Sequence, residues 1–95
     1  MLKHEINVIG QNYRMEDMMI DLVEQCYGFA IIDNDGFMYQ YTEGDKYRDG
    51  EIVNCFVHHE SDTVFMVVEC DCVYFEIGFD NVDRYDLLQD ELPFR

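Results

Sequence analysis

The chain has 95 residues, 48% of them hydrophobic, with seven Phe and seven Tyr. That length suits one domain spanning 1–95, and so many aromatic side chains argue against intrinsic disorder. Twenty-one Asp and Glu against six Lys and Arg give a formal charge of −15, which argues against direct binding to DNA, RNA or an anionic membrane.

Residues 5–10 read as a short first strand ending at Gly10. Asn12 then suits a helix N-cap, and Met15, Met18, Met19, Leu22, Val23 and Cys26 recur at helical spacing. These residues predict an amphipathic helix that lies on a core and stops at Gly28. Phe29–Ile32 and Phe37–Tyr41 flank Asp33-Asn34-Asp35-Gly36, a hairpin signal. Residues 42–50 are polar, contain two glycines and predict a loop. Glu51–His58 predicts the next strand and His59–Asp62 a turn.

Between Thr63 and Phe79 the apolar set moves from even to odd positions near Cys72. One flat strand cannot hold both sets in one core. A tight turn near Glu69–Asp71 resolves the conflict by making two antiparallel strands, and a bulged single strand is the alternative. The tail from Asp80 predicts a short helix capped by Asp80 and ended by Pro93, with Val82, Tyr85, Leu88 and Leu92 on its inner stripe. The expected fold is α+β: an antiparallel sheet of four to five strands, an N-terminal amphipathic helix and a short C-terminal helix.

The start, Met1-Leu2-Lys3-His4-Glu5, lacks the apolar run of a signal peptide, and no run approaches the roughly twenty apolar residues of a membrane span. The expected location is cytoplasmic, and Cys26, Cys55, Cys70 and Cys72 are expected as reduced thiols beside apolar residues.

From Glu60 to Glu91 ten acids accompany one base, Arg84. Glu60, Asp62, Glu69, Asp71, Glu76, Asp80, Asp83, Asp86, Asp90 and Glu91 are therefore the candidate partner-binding residues. In a helical tail Asp83, Asp86 and Asp90 would stack about 4.5 and 6 Å apart along the axis. Such a row roughly imitates a phosphate backbone and would suit a basic groove. In size and charge the chain resembles the small acidic inhibitors that phages and mobile elements direct against host nucleases, of anti-CRISPR or anti-restriction type. No family motif carries that resemblance. It implies a non-catalytic nucleic-acid mimic whose partner is a basic nucleic-acid-binding protein such as a nuclease. The alternative is a structural or zinc-stabilised interaction module within a larger complex.

For zinc the candidate ligands are Cys55, His58, Cys70 and Cys72, with His59 nearby. A single residue between Cys70 and Cys72 is short for paired ligands, and Cys55 and His58 would face opposite sides of a strand. Asp33–Gly36 resembles the start of a calcium loop, but Met38 and Gly44 stand where that loop needs Gly and Glu. Ser61, His58 and His59 fall in a turn, and no nucleophile elbow, Walker motif or His-Glu-x-x-His is present, so neither catalysis nor a cofactor is expected. Tyr39, Tyr41 and Tyr47 are candidates to cap the edge of the core or to anchor a partner. An edge strand offers a route to a homodimer, against which charge repulsion acts, so monomer and homodimer both stay open.

Overall fold

In the computed structural model residues 1–88 are described. Nine strands follow in order: β1 Lys3–Gly10, β2 Val23–Cys26, β3 Gly28–Asp33, β4 Met38–Thr42, β5 Lys46–Tyr47, β6 Gly50–His58, β7 Thr63–Cys70, β8 Val73–Asp80 and β9 Val82–Leu88. They form two antiparallel sheets. The larger has the order β1-β8-β7-β6-β2, with β5 also on β6; the smaller has the order β4-β3-β9. A 3-10 turn, Met15–Asp17, is the helical element among the described residues.

The α+β expectation is therefore corrected to a mostly β domain, and both predicted helices fail for physical reasons. In the Met-rich segment Leu22 sits at φ 65, which breaks a right-handed helix, and Val23–Cys26 pairs with Cys55–His58. A short isolated helix is marginal in water, whereas β2 gains a hydrogen-bonded neighbour and buries Val23. The methionines still cover a sheet, as the helix was expected to do. Met15, Met18 and Tyr13 pack on Val23, Phe56 and Val67 on the outer face of the larger sheet.

The predicted tail helix is β9. Its register on β3 slips between Ile32↔Arg84 and Asp33↔Val82, so Asp83 is an extra residue in a bulge. The bulge puts Val82 and Tyr85, three apart, on the same inner side, and a spacing of three is also what a helix produces. The stretch that held Leu92, Pro93, Asp90 and Glu91 lies outside the described residues.

Several expectations are met. Asp33–Gly36 closes the β3–β4 hairpin, and the buried Asp33 carboxylate holds it. Its Oδ1 accepts from the backbone N–H of Asp35 (2.9 Å) and Phe37 (3.0 Å), and its Oδ2 from the Tyr39 hydroxyl (3.2 Å). Thr63–Phe79 is two strands joined at Asp71-Cys72, both with positive φ (52 and 67), the geometry of a two-residue hairpin turn. Residues 42–50 are not wholly loop, because Lys46 and Tyr47 pair with Glu51 and Gly50.

The principal core lies between the sheets. Phe29 and Ile31 of the smaller sheet meet Ile52, Cys55, Val57, Met66, Val68 and Ile77 of the larger. At its margin Tyr41 stacks on Phe79 at 5.3 Å, and Phe29 meets the same ring edge-on at 5.9 Å. Tyr39 and Tyr41 pack on this core and Tyr47 is buried in it, so these tyrosines close the core edge.

Candidate partner-binding surface

The outer face of the larger sheet is covered on one half only. Tyr13, Met15 and Met18 lie over β2, β6 and β7, with the Tyr13 hydroxyl donating to Asn54 Oδ1 at 2.5 Å. Tyr13 also meets Tyr74 of β8 at 5.0 Å, and the face stays open beyond it, over the Lys3–Asn7 part of β1 and the Glu76–Asp80 part of β8. There the register sets Lys3 opposite Asp80, Glu5 opposite Gly78 and Asn7 opposite Glu76. Gly78 contributes no side chain, and a Cβ there would meet only the Glu5 Cβ at 4.0 Å. The result is a groove of about 220 Å³ bordered by Glu5, Glu76, Asp80 and Phe65.

A second groove of about 280 Å³ adjoins it, sharing Thr63, Val64, Phe79 and Asp80. It opens where β8 crosses to β9, and Asp62, Asp83 and Arg84 complete its walls. The Tyr85 hydroxyl donates to Asp62 Oδ1 at 2.7 Å and ties β9 to the turn before β7. Burial first, then that bond, pushes the Tyr85 phenol up to about 12, so it stays a donor at neutral pH. Glu5 is held above the usual carboxylate range, chiefly by a hydrogen bond with the Asp80 carboxyl and then by its charge.

Of the ten candidate acids, Asp62, Glu76, Asp80 and Asp83 are thus brought together. Glu60 lies exposed in the same turn as Asp62. Glu69 and Asp71 sit at the far end of the β7–β8 hairpin, where Glu69 Oε2 accepts from the Cys72 N–H at 2.9 Å. Asp86 pairs with Ala30 on the outer face of the smaller sheet, away from the side that carries Tyr85. Asp83 and Asp86 do not stack as expected of a helical tail, because β9 is a strand; Asp83 joins this cluster instead, and two cations, Lys3 and Arg84, stand at its borders. Glu5 was missed. Nothing local marks it, because its role comes from β1 lying beside β8, more than seventy residues later.

The candidate zinc ligands are not assembled. Cys55 is buried on the inner face opposite Met66, and Cys70 is four residues farther along β7, about 13 Å at the usual strand rise. His58 lies on the opposite face and bonds Ser61 through Nδ1, at 3.2 Å to the backbone N–H and 3.0 Å to Oγ. Among the described residues no group of three or more His, Cys, Asp or Glu is placed to hold a metal. The cysteines are free thiols. Burial pushes Cys26 up to about 11 and raises Cys55 further, so both are held as protonated thiols at neutral pH. His59 Nε2 pairs with Glu24 Oε1 at 2.6 Å on the surface. Compared with protein-family models, curated proteins and solved structures, the chain shows no match.

Proposed function

We propose that this domain is a non-catalytic acidic binding protein that occupies the basic surface of a nucleic-acid-handling protein, a nuclease being the type of partner. One observation supports the reading above the rest: Glu5, Asp62, Glu76, Asp80 and Asp83 converge on two adjoining grooves in a chain of charge −15. Grooves walled mainly by carboxylates, with Arg84 on one wall, still carry a net negative field that speeds encounter with a cationic partner and accepts Lys or Arg side chains. The cluster is compact, so the fit is to a knot of basic side chains more than to an extended phosphate track.

The test is affinity capture from a host lysate at low and at high salt, with the eluted proteins identified. A basic nucleic-acid-binding protein recovered only at low salt, and lost with the double variant Asp80→Lys, Asp83→Lys, is the expected result. Asp86→Lys, farther along β9 and facing outward opposite Ala30, should leave capture intact. A partner without a basic surface would overturn the proposal.

A second reading has its own observation. Met19, Ile20 and Leu22 are exposed in one short segment, as expected of an interaction module seated in a larger complex. That reading predicts capture insensitive to salt and abolished by Ile20→Asp.

A further inference from the structure

The larger sheet ends at β1, which pairs with β8 and, among the described residues, with no strand on its other side. An open edge carries unpaired backbone N–H and C=O groups and templates another strand. At eight residues β1 is longer than the other terminal strands, β9 (7), β4 (5) and β2 (4). The edge strand β9 is protected by Asp83, Arg84, Asp86 and its bulge, whereas Ile6–Ile9 of β1 has no charge at all.

The two faces along this edge differ in chemistry. On the inner side Ile6 and Val8 remain 45% and 70% exposed, beside an apolar groove of about 180 Å³ formed by Ile6, Val68, Phe75 and Ile77. On the outer side β1 itself presents Lys3, Glu5 and Asn7, and behind them on β8 stand Asp80 and Glu76. A strand laid alongside β1 would send alternate side chains to the two faces. One set would meet hydrocarbon, and the other would meet Glu5 and Asn7 with Glu76 behind them, beyond Lys3 at the strand's start.

We propose that β1 is the docking edge for an extended segment of a basic protein in which apolar residues alternate with Lys or Arg. The inference rests on the acidic-receptor reading above and names the part of the partner that is recognised. Backbone pairing supplies the register, Ile6 and Val8 the apolar contact, and Glu5 and Glu76 the charge selection. A second copy of this chain fits less well, since its β1 brings one lysine and the rest of that copy brings a further −15.

Short synthetic peptides test this on the full chain by fluorescence anisotropy, at about 0.15 M salt. One alternates valine and lysine, one carries the same residues in two blocks, and one is the alternating peptide N-methylated along a single edge. The alternating peptide should bind about tenfold tighter than the others, a difference of about 1.4 kcal/mol. Val8→Asp separates the forces, because added negative charge alone would tighten binding to lysine, whereas loss of the apolar contact weakens it. Val8 is exposed, so circular dichroism should show the variant folded. Equal binding of the alternating and blocked peptides, or tighter binding by Val8→Asp, overturns the edge while the acidic-receptor reading stands. Binding of neither peptide overturns both. A dimer in sedimentation that Val8→Asp dissolves would show the edge taken by a second copy and would also overturn the proposal.

Discussion

His4 shows how a single side chain ties this fold to pH. It points inward from β1, bonds the Tyr47 hydroxyl through Nδ1, and meets the Phe79 ring edge-on at 5.3 Å. Burial first, then Arg48, lowers its pKa below 6.5. The folded state therefore keeps a neutral ring where the unfolded chain already takes a proton. The stability this contributes is complete above the unfolded pKa and declines as pH falls through it. Urea unfolding from about pH 7.5 to about pH 5.5 should show wild type losing stability relative to His4→Gln, and parallel curves would refute the assignment. Gly28 has a plainer role. A Cβ there would lie 2.5 Å from the Tyr41 carbonyl oxygen and 2.6 Å from Thr42 Cγ2, at the open end of the β3–β4 ladder. Gly28→Ala should cost about 1–3 kcal/mol in denaturant unfolding. Local chemistry made Asp33 legible as a turn residue. Gly28 could only be read as a helix stop, because the apolar spacing before it predicted a helix and the predicted hairpin partner ended at Tyr41, one residue short of Thr42.

Among the elements, the hairpins with local turn chemistry were readable, and so were β1 and β6 despite their bulges, whereas the bulged β9 was not. The β7–β8 hairpin follows from the parity change at Cys72, and the structure places two left-handed residues there, Asp71 and Cys72. A non-glycine residue carries a conformational cost at such a φ, so Cys72→Gly should stabilise the protein by about 1 kcal/mol, measurable as a higher denaturation midpoint. The tail misled because the Asp83 bulge gives Val82 and Tyr85 helical spacing inside a strand. Similarly, the extra residue Val53 in β6 places Ile52 and Cys55, three apart, on one side. Far-UV circular dichroism should accordingly show a β spectrum without the strong paired negative bands of a helix. A strong helical band would restore the α+β reading.

At the scale of the whole molecule, folding draws carboxylates together against their own repulsion. Glu5 carries the clearest sign. Its pKa is raised by Asp80, so the folded state binds that proton more readily than the unfolded chain, and above the raised value the pair opposes folding. Glu5→Gln should raise the melting temperature at neutral pH, with the gain shrinking as pH falls through about 4–5. The same substitution should weaken binding of a lysine-containing ligand at the outer groove, so stability and affinity should move in opposite directions. A variant that gained both, or lost both, would separate Glu5 from the site. Composition alone determined that the chain is strongly acidic and that its aromatic and apolar residues suffice for a core. Hairpin positions also followed from the order of residues, since turn chemistry acts over a few bonds. Which acids became neighbours was decided by tertiary structure alone: Glu5 reaches Glu76 and Asp80 only because β1 pairs with β8, and Asp83 parts from Asp86 only because β9 is a strand. Local propensities act over a few residues, whereas the electrostatic field of a surface depends on distances that exist only after the chain has closed on itself.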